Sequence, residues 1–356
     1  MADVLRVENL AKSYAGKAAL SGVTLSVAAN EYVSLLGPSA SGKTVLLRLV
    51  AGFEKPDHGS IHFQGTDVVN IPAHERGIGF VFQNFALFPH LTVYDNIAFG
   101  LTNRVINPMT DAHHVRDRVM AMIELVGLSG LEGRGVHQIS GGQRQRVALA
   151  RTLVTEPRLV LLDEPLGALD ANLRMRMRGE LRRIREQLGV TFLHVTGSES
   201  EALAMGDRIV VLDNGKIGQF DKPDHVFNRP ISPNVARYLN CYNMFEGRLD
   251  GSVFVAGPDR FDFSNRMNSG GRPAYAIRQD LITINQSLAY ANGETGLKAK
   301  YLASEYTGAA FMYFFEAADG HIIEVENHLS HRSAQTLEPG KHYQLAWKIS
   351  DALVYG

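Results

Sequence analysis

The stretch Gly37-Pro-Ser-Ala-Ser-Gly42-Lys43-Thr44 decides the fold class of this 356-residue chain. It follows the apolar run YVSLL, residues 32–36, and precedes the helical run VLLRLVAGF, residues 45–53. A glycine-rich turn between a strand and a helix matches the phosphate-loop pattern, because its amides and the helix N-terminus together favour an anion. We therefore expect an α/β fold with a nucleotide phosphate site, in which Lys43 reaches the β- and γ-phosphates and the Thr44 hydroxyl binds Mg²⁺.

A second apolar run, LVLL at residues 159–162, ends in two adjacent carboxylates, Asp163 and Glu164. Ligands of α/β proteins bind at the C-terminal ends of the strands. Asp163 is therefore a candidate Mg²⁺ ligand, directly or through water, and Glu164 is a candidate general base for the attacking water. An acidic pair at a strand end is by itself an ordinary turn, but a phosphate loop about 120 residues upstream favours the catalytic interpretation.

A third motif, QISGGQRQRV at residues 138–147, lies between these two and leads into the helical run ALARTLV. Its two glycines permit close backbone approach, and Ser140 with the following helix amides can bind a γ-phosphate. With these motifs the chain resembles the ATP-binding subunits of ABC transporters. The resemblance implies that this loop completes the ATP site of the other subunit, so that nucleotide joins a head-to-tail dimer with composite sites.

Other positions match that family one by one. Tyr14 lies where the family stacks an aromatic ring on adenine, and Gln83 matches the glutamine that senses Mg²⁺ and the attacking water. The segment Gly167-Ala168-Leu169-Asp170 matches the loop through which the subunits communicate. The apolar stretch 85–91 lies where the family docks coupling helices of its membrane partners, although without the family it is merely a buried loop.

The resemblance thus assigns three sets of residues. Those implied to bind nucleotide are Tyr14, Gly37, Pro38, Ser39, Ala40, Ser41, Gly42, Lys43, Thr44, Val45, Ser140, Gly141, Gly142, Gln143, Asp163 and Asp170. Those implied to contact Mg²⁺ are Thr44, Gln83 and Asp163, and those implied to be catalytic are Glu164 and Gln83.

One short segment departs from the family, which places a histidine in a Thr-His-Asp arrangement that contacts the γ-phosphate. Here the sequence is Thr196-Gly197-Ser198, and a side-chain donor at such a position contributes roughly 10² to 10³ in rate. Either Glu164 and Gln83 suffice for slow hydrolysis, or the chain binds ATP but depends on an intact partner; an introduced glycine is a third explanation. His194, inside an apolar strand, is expected to be a packed histidine rather than a substitute.

Two smaller departures lie in the phosphate loop. Ala40 occupies a position that is usually glycine, and Val45 one that is usually threonine. Ala40 is compatible with the loop if its φ is negative, whereas Val45 removes a hydroxyl from the neighbourhood of the nucleotide. We expect neither residue to abolish nucleotide binding.

Short apolar runs alternate with helical patterns over the first part of the chain, as in folds built on a parallel sheet. Together with the resemblance, they predict a P-loop ABC ATPase domain over residues 1–235, with a mixed sheet and a helical subdomain at about 84–155. After residues 223–233 the helical patterns give way to short alternating β segments. We expect residues 236–356 to form a small β-barrel that resembles the OB-like regulatory domain of importer subunits of the polyamine, ferric-ion and sugar group.

Two amphipathic helices are predicted by apolar residues that recur every three or four positions. The first stripe is Val115, Val119, Ile123 and Val126, and the second is Leu173, Met177, Leu181, Ile184 and Leu188. The second helix also carries arginines at positions 174, 176, 178, 182, 183 and 185. This arginine stripe is expected to be a solvated face interleaved with acidic residues rather than a nucleic-acid surface.

Composition excludes several classes of protein. With 36 Lys and Arg against 37 Asp and Glu the net charge is −1, so no bulk field attracts nucleic acid. The most hydrophobic long window, residues 33–53, is broken by Lys43 and Arg48 and does not resemble a membrane span, and the start does not resemble a signal peptide. The one cysteine, Cys241, fits a reducing cytoplasm. We therefore expect a cytoplasmic protein with no nucleic-acid partner.

The resemblance implies an ATPase, peripheral on the inner face of the cell membrane, that uses ATP and Mg²⁺. It implies a homodimer or a heterodimer with a related ATPase, membrane permease subunits as partners, and a solute-binding protein as an indirect one. The stretch FQNFALFPHLTVYDNIAFGL and the β-rich tail favour polyamine uptake, with ferric ion, phosphonate and sugar open. The alternative is an ATP-gated clamp or regulatory module, in which nucleotide binding and release rather than turnover carry the function.

Overall fold

The computed structural model describes residues 3–103, 108–167, 169–264, 266–267, 272–285, 290–330 and 333–356. The chain divides into two compact units, Met1–Val226 and Phe227–Gly356. This division lies before the residue 235 expected from the sequence, because the helix Pro233–Tyr238 packs on strands Tyr242–Glu246 and Ala274–Arg278 of the second unit. Ala168, in the expected communication loop, lies outside the described residues.

The first unit alternates strands and helices. Its strands are β1 (Asp3–Tyr14), β2 (Lys17–Ala28), β3 (Tyr32–Leu36), β4 (His58–Phe63), β5 (Thr66–Asp67), β6 (Gly79–Val81), β7 (Leu159–Asp163), β8 (Thr191–Val195), β9 (Arg208–Asp213) and β10 (Lys216–Asp221). Its helices are α1 (Lys43–Ala51), α2 (Val93–Thr102), α3 (Ala112–Leu125), α4 (Gly141–Leu153), α5 (Ala171–Leu188) and α6 (Glu199–Met205), with 3₁₀ turns at Ala73–Glu75 and Val136–Gln138. Helix α7 (Pro223–Asn228) crosses the division between the units.

The central sheet of the first unit has the strand order β10-β9-β3-β8-β7-β6. Strands β9, β3, β8, β7 and β6 run parallel, and β10 is antiparallel to β9. Strands β3 and β8 are buried along their whole length, which explains their uninterrupted apolar sequences. A separate antiparallel sheet has the order β2-β1-β4-β5. The parallel strands bring their C-terminal ends, and therefore the predicted site residues, to one edge.

Helices α2, α3 and α4 follow β6 and precede β7 along the chain. They share a hydrophobic core with α5. The stripe predicted on α3 is confirmed, because Val115, Val119, Ile123 and Val126 are all buried. On α5 the stripe is buried at Met177, Leu181 and Ile184 but not at Leu188, which is 43% exposed. The helix ends at Leu188, where Gly189 adopts a left-handed conformation with φ 60°.

The arginine face of α5 is partly solvated, as expected: Arg176, Arg182 and Arg183 are exposed, while Arg174, Arg178 and Arg185 are half-buried. What the sequence did not indicate is that most of these side chains also form hydrogen bonds to neighbouring elements. Long guanidinium side chains reach backbone carbonyl oxygens of neighbouring elements, which the residue spacing cannot indicate. The acceptors are Leu169 O for Arg174, Ala204 O for Arg182, Leu125 O for Arg183 and Asn30 O for Arg185, and Arg178 donates to the Ser200 hydroxyl. These side chains attach α5 to the elements around it.

Arg76 closes the C-terminal end of the phosphate-loop helix. The residue is 4% exposed, and its guanidinium donates to Leu49 O and Val50 O at 2.8 Å each, the last carbonyls of α1. It also donates to the carbonyls of Ile71, at 2.8 Å, and Val69, at 3.2 Å. A buried cation at this end adds a donor to Leu49 O, which also accepts from Gly52 N–H at 3.2 Å, and to Val50 O. It also opposes the negative end of the helix dipole.

The second unit is rich in β-structure, as expected. Its strands are β11 (Tyr242–Glu246), β12 (Arg248–Asp250), β13 (Val253–Ala256), β14 (Asp259–Asp262), β15 (Arg266–Met267), β16 (Ala274–Arg278), β17 (Thr283–Asn285), β18 (Glu294–Tyr306), β19 (Ala310–Glu316), β20 (Ile322–His328), β21 (His342–Lys348) and β22 (Leu353–Tyr355). Helix α8 is Pro233–Tyr238, and 3₁₀ turns lie at Gln279–Leu281 and Ile349–Asp351.

Strands of the second unit form sheets in the orders β11-β16-β22-β15, β12-β13-β14 and β17-β21-β18-β19-β20. Among the described residues of this unit, every strand pair is antiparallel except β15 with β22. The core is aromatic: the buried Trp347 indole donates to the Tyr275 hydroxyl at 2.7 Å, and Phe261 and Phe245 stand against it. Among the described residues of the whole chain, no helix is long and apolar enough to span a membrane.

Candidate functional site

The phosphate loop requires glycine at both of its ends. A Cβ atom on Gly37 would lie 2.2 Å from Leu212 O, and one on Gly42 would lie 2.6 Å from Ala19 O. Gly42 also has φ 104° and stands as the N-cap of α1, where no described side chain caps the helix. The first amides of α1 are therefore available to an anion, as the loop pattern predicts.

Lys43 lies inside this loop and is only 6% exposed. Its ammonium donates to Gly37 O and Pro38 O, both at 2.7 Å. Burial lowers the pKa of Lys43, while the carboxylates of Glu164 and Asp163 act in the opposite direction. Ser41 is buried as well, and its hydroxyl has no hydrogen-bond partner among the described residues. A buried ammonium and an unpaired hydroxyl in one glycine-rich loop fit a phosphate group.

Two of the three residues implied to contact Mg²⁺, Thr44 and Asp163, lie in contact. The Thr44 hydroxyl donates to Asp163 Oδ1 at 3.3 Å, joining α1 to the end of β7. Burial raises the pKa of Asp163, and the hydrogen bond from Thr44 partly offsets this. Hydroxyl and carboxylate oxygens are the donors that Mg²⁺ prefers, so the residues present fit this ion.

The two predicted catalytic side chains are directly hydrogen-bonded. Gln83 Nε2, just after β6, donates to Glu164 Oε2 at 3.0 Å. Glu164 has φ 46°, a left-handed conformation that non-glycine residues rarely adopt. Its N–H donates to Val195 O at 3.0 Å, which ties this turn to the end of β8. Unusual backbone conformations concentrate at functional sites.

Ala40 departs from what the sequence analysis required of it. Its φ is 63°, in the left-handed region, whereas compatibility with the loop was argued for a negative φ. The loop imposes this conformation although alanine prefers a negative φ. The left-handed conformation costs about 1 to 2 kcal/mol. Val45, the other departure, packs partly buried against the core of the first unit.

The Ser-Gly-Gly-Gln residues form the start of α4. Gln143 N–H donates to the Ser140 hydroxyl at 3.3 Å, and Ser140 N–H donates to Gln143 Oε1 at 2.8 Å, a reciprocal capping box. A Cβ on Gly142 would lie 2.7 Å from the Leu173 side chain, whereas Gly141 is open. No described hydrogen bond joins this capping box to the phosphate loop of the same chain. Asp170 likewise caps α5, accepting from Leu173 N–H at 2.9 Å.

Tyr14 is 43% exposed and is held by its hydroxyl rather than by packing. The hydroxyl donates to Glu54, a residue just after α1. Partial burial and the neighbouring Glu54 carboxylate raise the pKa of Tyr14 to about 12. The Lys12 ammonium lies 5.6 Å from the centre of the ring. The ring is thus oriented and accessible, as stacking on a base requires.

Gly197 follows β8 at the same edge of the sheet. A Cβ at this position would have no atom within 4 Å, so the site has room for a larger side chain. The neighbouring Thr196 donates to Glu201, and Ser198 caps α6. His194 is fully buried, with Nδ1 3.0 Å from the Tyr32 hydroxyl, and burial lowers its pKa to about 3. It is the packed core residue that the sequence analysis expected.

Sequence reasoning missed the residues that form hydrogen bonds to the predicted site residues or to their neighbours in the chain. Glu54 orients Tyr14, the buried Glu201 holds Thr196, and Arg151 on α4 binds the segment after Gln83. For Arg151 the sequence did contain one indication, namely an arginine within the apolar helical run ALARTLV. The contacts themselves join residues far apart in the chain, which no local pattern predicts.

The comparisons agree with this fold. Residues 20–167 match the ABC transporter family model, and residues 275–354 match the TOBE domain. The spermidine/putrescine import ATP-binding protein PotA of Acetivibrio thermocellus is 46% identical over 71% of this chain and 72% of its own length. The sulfate/thiosulfate import ATP-binding protein CysA 1 of Rhizobium meliloti is 47% identical over 72% of this chain and 77% of its own.

A solved dimeric ATP-binding cassette in a post-hydrolysis state, bound to ADP and phosphate, has a TM-score of 0.56 and 30% identity, covering 62% of this chain and 98% of that one. The chain belongs to the ABC transporter family, as one of its ATP-binding proteins. It is an ATP-binding and ATP-hydrolysing subunit with a C-terminal OB-like TOBE domain, and the predicted family, fold class and activity are confirmed. No observation favours the hydrolysis-impaired alternative.

Proposed function

We propose that this ATPase powers import of a small solute through a membrane permease, working as an ATP-joined dimer at the inner face of the membrane. The observation that carries the proposal is the convergence of five side chains at the C-terminal ends of β3, β7 and β6. They are Lys43, Thr44, Gln83, Asp163 and Glu164. This edge is where α/β sheets bind ligands, and the set has a cation for phosphate, oxygen ligands for Mg²⁺ and a carboxylate for water.

Each of these residues has a proposed role. The α1 amides and Lys43 bind the β- and γ-phosphates, and Thr44 and Asp163 hold Mg²⁺, which neutralises charge on the phosphate oxygens. Glu164 accepts the proton of the attacking water. The Gln83 amide, already bonded to Glu164 Oε2, orients that carboxylate and the water. Tyr14 stacks on adenine.

The dimer follows from the open face of the Ser-Gly-Gly-Gln loop. Ser140, Gly141, Gly142 and Gln143 start a helix whose amides favour an anion, yet within one chain they bond to each other rather than to the phosphate loop. We infer that they complete the ATP site of a second copy, with Asp170 in the loop between the subunits. The dimeric state of the solved cassette supports this arrangement.

The permease would contact aromatic side chains around the segment 85–91. Phe53 is 47% exposed, and its ring lies 5.0 Å from Phe80 and 5.7 Å from Phe82. Phe88, within the segment, lies 4.4 Å from the 39% exposed Phe99 of α2. Exposed apolar groups of this kind mark protein contact sites.

The proposed solute is a polyamine, with a solute-binding protein delivering it. The relative named for spermidine/putrescine import supports this proposal. The relative named for sulfate/thiosulfate import makes sulfate the alternative solute. Vesicles containing the ATPase and its permease, with the cognate solute-binding protein outside, should take up radiolabelled spermidine in an ATP-dependent manner. Uptake of sulfate without spermidine would reject the solute while leaving the ATPase proposal intact.

Gly197→His should raise kcat for ATP hydrolysis, by about ten- to a hundredfold, because an imidazole would add a donor near the developing charge. The site has room for it, so the thermal midpoint should stay the same. Steady-state phosphate release measures the effect, with Gly197→Ala, which adds a Cβ but no donor, as the matched control. Equal rates for the three proteins would mean that Gln83 and Glu164 already supply all the positioning the reaction needs.

A further inference from the structure

One guanidinium binds the start of the segment 85–91 to helix α4. Arg151, on α4, donates to Ala86 O at 2.7 Å and to Phe85 O at 3.0 Å. Phe85 and Ala86 have φ values of 64° and 44°, so both carbonyls belong to a backbone turn that non-glycine residues rarely adopt. The guanidinium therefore binds the two carbonyls of the residues that have positive φ.

The contact is specific to an arginine. Its planar guanidinium presents several donors in fixed directions, which a lysine ammonium does not. The same group lies 5.5 Å from the centre of the Phe88 ring, adding a cation–π contact. No carboxylate forms an ion pair with Arg151 in the described part of the chain, and desolvation by burial lowers its pKa. The described contacts of the Arg151 guanidinium are therefore with the Phe85–Ala86 turn and the Phe88 ring.

Arg151 is carried by the same helix that begins with the Ser-Gly-Gly-Gln loop. Ser140, the N-cap of α4, and Arg151, in its last turn, are joined by continuous helix, about 16 Å long at 1.5 Å per residue. A displacement of the helix start is therefore transmitted to Arg151 rather than absorbed by a flexible linker.

The segment is also fixed at its far end and at its start. Asn96, on α2, is fully buried; it accepts from Phe88 N–H at 2.9 Å and donates to Thr92 O at 2.9 Å. At the start, Gln83 is bonded to Glu164 at 3.0 Å. The segment thus connects the hydrolytic carboxylate to α4, and Arg151 is its attachment to that helix.

We propose that Arg151 is a positioning residue that couples the Ser-Gly-Gly-Gln loop to the permease-facing segment. When nucleotide draws the start of α4 toward a second copy, Arg151 moves the Phe85–Ala86 turn with it. This inference rests on the proposed dimer and permease contact, and it concerns transmission of the movement, not the hydrolytic step.

The first test measures transmission without a permease. In Glu164→Gln protein, where hydrolysis is blocked, ATP should change amide hydrogen exchange both at 140–145 and at 85–92. Adding Arg151→Gln should abolish the ATP-dependent change at 85–92 and retain it at 140–145. The matched control is Arg146→Gln, because Arg146 also lies on α4 and donates to two carbonyls, Val126 O at 3.2 Å and Gly127 O at 3.1 Å, but on a different segment. It should retain both changes.

The second test uses the full chain with its permease in lipid vesicles. Arg151→Gln should keep basal phosphate release within about twofold of the unaltered chain and lose at least about tenfold of the permease-stimulated rate. Arg151→Lys, which retains charge and stem, should fold even where Arg151→Gln does not, and should lose part of the stimulation. A parallel fall of basal and stimulated rates, or an unchanged exchange response at 85–92, would overturn the proposal. Absence of stimulation in the unaltered chain would instead reject the proposed permease partnership.

Discussion

Glu164→Gln should lower kcat for ATP hydrolysis by about 10²- to 10⁴-fold, the range that a positioned general base contributes. The amide is nearly isosteric with the carboxylate, so the turn at φ 46° and the contact with Gln83 can persist. What it lacks is the capacity to accept a proton from water. ATP affinity should change by less than about threefold, because the proposed phosphate contacts lie on Lys43 and α1.

Steady-state phosphate release and equilibrium binding of a fluorescent ATP analogue separate these two effects. Asp163→Asn is the matched control, since it alters the neighbouring carboxylate, which is bonded to Thr44 at 3.3 Å. It should weaken Mg²⁺-dependent nucleotide binding as well as turnover. Retention of more than about a tenth of the rate by Glu164→Gln would show that another group activates water, because general-base catalysis contributes more than this.

Arg76→Met should lower the free energy of unfolding of the first unit by about 3 to 5 kcal/mol. The guanidinium donates to four carbonyl oxygens in a position that is 4% exposed. Leu49 O keeps its bond from Gly52 N–H at 3.2 Å, but each buried acceptor that is left unpaired costs about 1 to 3 kcal/mol. Methionine fills a similar volume, so cavity formation contributes little. The carbonyls of Leu49 and Val50 lose both a hydrogen bond and a favourable charge at the helix end.

Denaturant unfolding followed by far-UV circular dichroism measures this change. Arg76→Lys is the control: its ammonium keeps the charge but cannot reach four carbonyls at once, so a smaller loss is expected. Trp347, the one tryptophan of the chain, is buried in the second unit, and its fluorescence reports that unit in the same experiment. A loss below about 1 kcal/mol would mean that water replaces the guanidinium, because intact buried networks contribute more.

The sequence predicts what depends on local order. The phosphate loop, the Asp163-Glu164 pair and the capping box at Ser140 are each contiguous, so strand, turn and helix context identifies them. The convergence of Gln83 with Glu164 was expected from the family resemblance, and the structure brings the two within 3.0 Å. The α3 stripe was correct because helix periodicity and burial coincide.

Other features depend on contacts between distant residues, and the sequence analysis missed or misread them. The α5 arginines are partly solvated as expected, but their hydrogen bonds were missed because periodicity says nothing about a long side chain reaching a carbonyl on another element. The same holds for Arg76 and Arg151, whose acceptors lie on other turns and helices. Ala40 was given the backbone conformation that alanine prefers, but the loop imposes φ 63°.

The phosphate loop is closed on itself through Lys43. Because the ammonium is already bound by Gly37 O and Pro38 O at 2.7 Å, nucleotide entry is an exchange of partners rather than the neutralisation of a bare buried charge. The enthalpy gained from the phosphates is correspondingly smaller. On product release the loop's own carbonyls can take back the ammonium as the phosphates leave, so the loop stabilises this buried charge in both states.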